Sequence, residues 1–151
     1  MRSKKSWKEK LLDSKDLPKV VKIPEKAKKK WGSGTIAIPA PLEVDAIMKK
    51  VPRGKLITTN EIRNKVAKKH KANVGCPLTT GIFSLIAANA AEEEAREGKK
   101  KITPYWRTLK TGGILNEKYP GGINNQKRLL QSEGHRVVKK GKNYIVEGYE
   151  K

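Results

Sequence analysis

The sequence predicts a mainly α-helical fold with small β elements, arranged as a winged helix-turn-helix. A helix that begins after Thr58 is followed by a turn at 73–77 and by a longer helix at 79–97. An extended segment follows at 102–109, and two short apolar runs flank a Lys- and Gly-rich turn at 139–143. Helix, turn, helix and a following β segment are the ordered elements of a winged helix-turn-helix domain.

Changes in composition divide the chain into three parts. Residues 1–34 form a basic N-terminal arm, which we expect to be partly disordered. Residues 35–136 are predicted to form the compact winged-helix domain, a size typical of one domain. Residues 137–151 are predicted to form a basic C-terminal β-hairpin.

The N-terminal arm supports two interpretations. Pro18 and Pro24 prevent one long helix, and the density of lysine is typical of a solvated, disordered tail. The alternative is an arm that lies along phosphates and becomes ordered on binding. Trp7 and Trp31 favour this second interpretation, because a purely solvating tail rarely retains tryptophan.

Local signals define the elements of the compact domain. Thr58 and Glu61 form a capping-box pattern, which predicts where the first helix of the motif begins. Pro77 suits the first turn of the second helix, and Gly134 suits the end of the last helix. Besides the two motif helices, the sequence predicts a strand at 35–38, a helix at 42–50 and a helix at 124–133.

The second motif helix is apolar in its first half and acidic in its second half. Glutamates dominate residues 92–97, and such a segment cannot lie on phosphate. We therefore expect it to face away from a nucleic acid or to meet basic residues of the N-terminal arm. The predicted buried body of the helix consists of Ile82, Phe83, Leu85, Ile86 and Ala90.

The charge of the chain limits the classes of partner. There are 35 Lys and Arg residues against 15 Asp and Glu residues, which gives a formal net charge of +20. Such an excess indicates a polyanionic partner. A membrane is disfavoured, because no apolar run approaches the ~20 residues that span a bilayer and no apolar signal segment follows the basic N-terminus. The expected partner is therefore DNA or RNA.

No residue pattern indicates a cofactor, a metal site or an intrachain disulfide. Cys76 is the only cysteine, and His70 and His135 are far apart in sequence. A single cysteine is typical of a reducing compartment, so we expect an intracellular, cytoplasmic protein. Cys76 itself is expected to be a small buried or turn residue.

Four motifs occur in a fixed order along residues 42–136: VPRGK at 51–55, PYWR at 104–107, YPGG at 119–122, and a closing run at 126–136 that contains LLQSEGH. Together they resemble the C-terminal domain of the alkylguanine-DNA alkyltransferases and of the alkyltransferase-like proteins. That family places a helix-turn-helix on the DNA minor groove and flips an alkylated guanine into a pocket. Flipping costs a few kcal/mol of unstacking, which an arginine finger and a tyrosine of the family help to offset.

This chain departs from the family at its catalytic and base-flipping positions. Tyr105 stands where the family has its nucleophilic cysteine and Trp106 where it has histidine, so alkyl transfer is excluded. Ala87 falls at the arginine-finger position and Thr59 at the tyrosine position, while Pro120 replaces a loop serine. The resemblance therefore implies a protein that is not an enzyme, as in alkyltransferase-like proteins, which also lack the cysteine.

Two functions follow from these observations. The first is a non-catalytic DNA-binding protein that senses damaged or distorted bases, with repair proteins as further partners; the resemblance and the charge favour it. The second is an RNA-binding, ribosome-associated structural protein that reuses the fold, with rRNA and ribosomal proteins as partners. The Lys-rich arm and the altered flipping positions favour the second, because basic arms that fold on RNA are common.

Candidate nucleic-acid contacts are expected on the arm, the motif helices, the family motifs and the hairpin tip. Tyr105 and Trp106 are interpreted either as stacking platforms for an unpaired base or as core aromatics. Arg107 either contacts nucleic acid or braces its loop. The full set is Lys28, Lys29, Lys30, Arg53, Lys55, Thr59, Arg63, Lys68, Lys69, Tyr105, Trp106, Arg107, Tyr119, Lys139, Lys140 and Lys142.

Overall fold

The computed structural model describes residues 6–149 and confirms a mainly α-helical fold with small β elements. The α helices are α1 (Trp7–Leu12), α2 (Lys28–Trp31), α3 (Pro41–Lys49), α4 (Thr59–Lys69), α5 (Pro77–Arg96) and α6 (Gly122–Ser132). The strands are β1 (Lys19–Lys22), β2 (Thr35–Ile38), β3 (Ile57–Thr58), β4 (Val74–Gly75), β5 (Thr108–Leu109), β6 (Val137–Lys140) and β7 (Asn143–Val146).

The strands form three small sheets. In the first, β1 pairs antiparallel with β2, which pairs in parallel with β4. In the second, β3 and β5 are parallel. The third is the predicted C-terminal hairpin, in which β6 and β7 are antiparallel.

The helix-turn-helix consists of α4, the connection that contains β4, and α5. Thr58 caps α4 as predicted, since its hydroxyl accepts a hydrogen bond from the amide of Glu61 at 3.2 Å. The turn is tight: a Cβ at Gly75 would clash with the backbone carbonyl of Arg63. Arg63 also donates from Nε to the Gly75 carbonyl at 3.0 Å, so this residue fixes the turn.

The segment predicted as a partly disordered arm is folded from residue 6 onward. α1 packs against α5 and buries Leu11, and β1 pairs along its whole length with β2. Ile23 is buried in a small cluster with Cys76. The prediction of disorder is wrong for these residues, because apolar side chains spaced among the lysines find partners in the compact domain. Residues 1–5 lie outside the described residues.

α5 is the central helix, and small residues form its buried face. Ser84, Ala87 and Ala88 are completely or almost completely buried. Such small side chains suit a helix that α1, α3 and α4 all contact. The prediction that Ile82 is buried is wrong: it is 46% exposed, since the alanine face occupies the core and turns Ile82 outward.

A second apolar cluster fixes the hairpin to the rest of the domain. Leu130 of α6 packs with Leu109 and Leu115 from the connection after β5. Val137 and Val146 of the hairpin complete the cluster. The hairpin therefore has a defined position relative to α6 and to the segment that follows β5.

Candidate nucleic-acid interface

The N-terminal half of α5 forms one wall of an open groove, here named the α5 groove. Its opposite wall comes from the connection between β5 and α6, and its volume is about 380 Å³. Thr59, at the start of α4, lines the groove together with Lys110 and Lys118. Leu78 and Ile82 line it from α5, and both are exposed. The groove thus combines an apolar helix face with basic residues.

Lys110 joins the α5 groove to the C-terminal hairpin. It borders a second cavity of about 340 Å³, which Lys142 and Tyr144 of the hairpin also line. The backbone amide of Leu115 donates to the Tyr144 carbonyl at 2.8 Å, which fixes the connection after β5 against the hairpin. The α5 groove and the hairpin tip therefore belong to one continuous surface.

The acidic side chains of residues 6–149 are engaged within the protein. Glu93 accepts hydrogen bonds from the backbone amides of Trp7 and Lys8 at 3.0 and 2.9 Å, and Glu97 pairs with Lys8 at 2.7 Å. The expectation that the acidic half of α5 meets the arm is confirmed. The other carboxylates of these residues have partners within the protein, in caps, hydrogen bonds and ion pairs. Glu117 lies on the basic surface itself, where it lines both cavities and pairs with Lys110 at 3.1 Å.

Tyr105 and Tyr119 are core residues. Tyr105 is 0% exposed, and its hydroxyl donates to Glu92 at 2.7 Å and accepts from Asn125 at 3.1 Å. Its ring packs edge-to-face on Tyr119, with centroids 5.5 Å apart. The prediction that either residue contacts nucleic acid is wrong, because the two rings fill the interior behind the α5 groove.

Because Tyr105 and Tyr119 are buried, their hydroxyl groups are poorly suited to act as acids, bases or nucleophiles. Desolvation and the neighbouring carboxylate of Glu92 raise the pKa of Tyr105 well above its usual range. Desolvation likewise raises the pKa of Tyr119, which is fully buried. Both hydroxyls therefore stay protonated near neutral pH. Ala87, at the family's arginine-finger position, is also buried.

Arg107 acts as a brace. Its guanidinium donates to both carboxylate oxygens of Glu133, at 2.7 to 3.1 Å, and to the Val51 carbonyl at 2.8 Å. Burial alone would raise the pKa of Glu133, but hydrogen bonds from Arg107 and Trp106 hold it below its usual range. Arg107 therefore braces its loop, which is one of its two predicted roles, and its contact with nucleic acid stays a prediction.

Trp106 is half-buried, and neighbouring residues contact part of its side chain. Its indole nitrogen donates to Glu133 at 3.0 Å, and the Arg107 guanidinium lies 5.5 Å from the ring centroid. The ring borders a cavity of about 260 Å³ with Lys100 and Lys101 at its rim. A stacking role for Trp106 stays a prediction.

The remaining predicted contacts are distributed over several surfaces. Arg63 braces the motif turn, and Arg53 donates to the Ser132 carbonyl at 3.0 Å, so both guanidinium groups have protein partners. Lys69 pairs with Glu43 at 2.8 Å. Thr59 and Lys142 border the surface built on the α5 groove. The other exposed residues of the set, besides Arg53, Lys69 and Lys142, are Lys28, Lys29, Lys30, Lys55, Lys68, Lys139 and Lys140.

The arm lysines at 28–30 lie on α2, near the start of α5. Trp31 packs on the cluster that contains Cys76, the residue directly before α5. Cys76 is buried, as predicted. Contact of these lysines with nucleic acid stays a prediction, but the fold brings their helix to the end of α5 that carries the groove.

Of the residues that line the groove, only Thr59 belongs to the predicted set; Leu78, Ile82, Lys110 and Lys118 are among those that do not. The sequence offers a weak signal for the lysines, which flank the turn at 111–113 and the YPGG motif. The sequence does not indicate which side of α5 is exposed, because apolar residues occur on every side of the first half of that helix.

Among residues 6–149, no group of three or more His, Cys, Asp or Glu side chains is arranged to hold a metal ion. No helix in that part of the chain has the length and apolarity needed to cross a membrane.

The chain is similar to S. pombe Atl1, whose crystal structure was determined in complex with damaged DNA containing O6-carboxymethylguanine. The two chains share 18% sequence identity with a TM-score of 0.47, over 71% of this chain and 87% of that chain. No protein-family model matches the sequence, and no curated protein matches it.

Proposed function

We propose that this protein is a non-catalytic DNA-binding protein that holds duplex DNA on the surface formed by the α5 groove and the C-terminal hairpin. The observation that carries the proposal is the joining of these two features through Lys110. Lys118 and Lys142 are exposed on the same surface. A helix-turn-helix with a basic wing is a common arrangement for binding duplex DNA.

The charge distribution supports a polyanionic ligand. The protein carries a formal net charge of +20, and the carboxylates among residues 6–149 have partners within the protein. Lys110 pairs with Glu117, whereas Lys118 and Lys142 are exposed and can neutralise phosphates. Phosphate neutralisation releases counterions, so binding of this kind weakens steeply with salt.

The position of Tyr105 supports the part of the proposal that excludes alkyl transfer. Its side chain stands where the resembling family has its cysteine, and it is completely buried with a raised pKa. A buried, protonated phenol is a poor acceptor of an alkyl group. The protein is therefore expected to bind DNA without modifying itself.

The resemblance to alkyltransferase-like proteins favours damaged DNA as the preferred target. The rings of Tyr105 and Tyr119 fill the interior behind the groove, so no alkylated base is expected to be held there. Preference for damage would then come from the ease with which a damaged duplex is distorted, because unstacking costs least at mismatched or damaged bases.

The test is equilibrium binding of the full chain to a short labelled duplex at several salt concentrations. We expect tighter binding to a duplex that contains alkylguanine than to the matched undamaged duplex, with similar salt slopes for both. Equal affinity for the two at every salt concentration would reject the preference for damage. Failure to bind duplex DNA, together with co-sedimentation with ribosomal particles at low salt, would reject the proposal in favour of the RNA-binding alternative.

A further inference from the structure

The outer edge of β1 is open. β1 lies at one side of the sheet that it forms with β2 and β4, and no strand of residues 6–149 pairs with its other edge. All four of its residues are exposed, including Val20 at 42% and Val21 at 39%. The two valines are consecutive and therefore lie on opposite faces of the strand. β1 thus combines an open backbone edge with one exposed apolar side chain on each face.

The hydrogen bonds of β2 show which backbone groups of β1 point outward. The carbonyl of Ala37 accepts from the Cys76 amide at 2.9 Å, on the β4 side, so Ala37 offers no backbone hydrogen bond to Val20 opposite it. The carbonyl of Thr35, opposite Lys22, also accepts on that side, at 3.1 Å. The N–H and C=O groups of Val20 and Lys22 therefore point away from β2. An extended polypeptide can add to such an edge through main-chain hydrogen bonds.

The charge around β1 selects an acidic strand. β1 begins with Lys19 and ends with Lys22, and residues 14–30 contain seven lysines against Asp16 and Glu25. Lys19 pairs with Asp16 at 2.9 Å, but both side chains are exposed, so this weak pair can be exchanged for another. Opposite charges on facing residues of two strands stabilise their pairing. A strand with carboxylates opposite the two lysines of β1 therefore fits this edge.

Two other occupants fit the edge less well. A second copy of β1 would bring two lysine-rich segments side by side, and lysine on a short edge strand is a common means of preventing identical edges from pairing. A nucleic acid could contact the lysines, but it would leave the outward N–H and C=O groups of Val20 and Lys22 without the regular partners that another main chain supplies.

We propose that β1 is a docking strand for an extended acidic segment of a partner protein, which adds to the sheet as a fourth strand. The segment that fits has the order acidic, apolar, apolar, acidic, so that its carboxylates face Lys19 and Lys22 and its apolar residues face the two valines. The far strand of the sheet, β4, lies in the connection of the helix-turn-helix. A docked partner would therefore be held on the domain that carries the α5 groove. This docking does not depend on DNA binding.

The test uses the full chain and a short fluorescein-labelled peptide with Glu-Val-Val-Glu at its centre and Gly-Ser flanks. We expect its anisotropy to rise with protein concentration, and hydrogen exchange at the amides of Val20 and Lys22 to slow on binding. Two matched peptides should bind on the order of tenfold more weakly. One has Lys-Val-Val-Lys at its centre and is repelled; the other keeps the glutamates but carries N-methyl groups on the residues that donate to β1.

Variants of β1 separate main-chain pairing from charge. Val20→Pro removes an outward N–H, and proline is tolerated on an edge strand where its nitrogen faces solvent. It should weaken binding of the Glu-Val-Val-Glu peptide on the order of tenfold, whereas the matched control Val20→Thr keeps the N–H and should bind like the wild type. Lys19→Glu/Lys22→Glu should reverse the preference and bind the Lys-Val-Val-Lys peptide. Denaturant midpoints check that each variant is folded, and the N-methylated peptide makes the same test without altering the protein.

Four results would overturn the proposal. The first is no binding of the Glu-Val-Val-Glu peptide to the wild type. The second is equal binding of the plain and N-methylated peptides, which would reduce the contact to charge attraction. The third is slower amide exchange at Val20 and Lys22 with a single-stranded oligonucleotide and not with the peptide, which would assign the edge to nucleic acid. The fourth is a dimer in sedimentation that Val20→Pro abolishes, which would assign the edge to a second copy. Loss of duplex DNA binding in the wild type would instead refute the proposed function and leave the docking strand unaffected.

Discussion

Arg107 and Glu133 form a buried ion pair that joins the PYWR segment to the end of α6. The shortest contact, from Nη2 to the carboxylate, is 2.7 Å, and the two side chains are 13% and 3% exposed. The same carboxylate accepts from the Trp106 indole. These contacts hold the segment that carries Tyr105 in place, so this motif acts as a structural support.

Replacing Arg107 by alanine should destabilise the protein by about 3 kcal/mol, because a buried carboxylate loses its partner. Denaturant unfolding measures this change. The control is Arg136→Ala, which breaks an exposed pair with Glu147 at 3.1 Å and should cost less than about 1 kcal/mol. Equal costs for the two variants would contradict the bracing role.

The attachment of α1 provides a second prediction. Glu93→Ala removes the acceptor for the amides of Trp7 and Lys8, and should cost about 1 kcal/mol, as for the loss of a helix cap. Limited trypsin digestion should then cut the arm faster than in the wild type. Glu94→Ala is the matched control, since Glu94 pairs only at the surface, with Lys99 at 3.0 Å. Equal digestion rates for wild type and both variants would show that Glu93 does not hold the arm.

The free energy of unfolding should decrease at high pH, because folding raises the pKa of three tyrosines. Desolvation raises the pKa of Tyr105 and of Tyr119, and desolvation with the Glu61 carboxylate raises the pKa of Tyr149 to about 12. Below about pH 10 these phenols are protonated in the folded and in the unfolded chain, so their contribution to the free energy of unfolding does not change with pH. Above it they ionise first in the unfolded chain, and the free energy of unfolding decreases.

Denaturant midpoints between about pH 9 and pH 11 measure this effect. Tyr149→Phe should lose less stability than the wild type across the range. Tyr144→Phe is the control, because that ring packs against Lys127 and Lys139 and not against a carboxylate. Identical pH dependence in the wild type and in Tyr149→Phe would contradict the assignment.

No alkyl group should be transferred to this protein. After incubation with DNA that contains alkylguanine, mass spectrometry should find an unmodified chain, because the buried phenol of Tyr105 stays protonated. An active alkyltransferase in the same reaction serves as the positive control. A stable adduct on any residue would refute the non-catalytic assignment.

The elements that depend on local sequence could be predicted. The Thr58 cap, Pro77 at the start of α5, the last helix and the hairpin are each set by neighbouring residues. The folded arm could not be predicted, because α1 is held by Glu93, which lies 86 positions from Trp7. Likewise, the burial of Ala87 and the exposure of Ile82 depend on which helices contact α5.

The candidate site was predicted only in part, for the same reason. Charge and the hairpin pattern indicated Lys142, and the resemblance indicated Thr59; both border the final surface. The motif aromatics Tyr105 and Tyr119 were placed at the site by their family positions, but tertiary packing buries them. Lys118 was missed because only the fold brings it to α5.

The most direct test of the central claim is the salt dependence of duplex DNA binding for two matched double variants. Lys118→Ala/Lys142→Ala removes charge from the α5 groove and the hairpin. Lys100→Ala/Lys101→Ala removes two exposed lysines beyond the opposite end of α5, a helix of 20 residues that is ~30 Å long.

Each phosphate contact contributes about 0.9 to the slope of log affinity against log salt concentration. The account predicts that the groove variant lowers this slope by about 2 and weakens binding, while the control variant matches the wild type. Equal slopes for the wild type and the groove variant, or an equal loss in the control, would contradict the account.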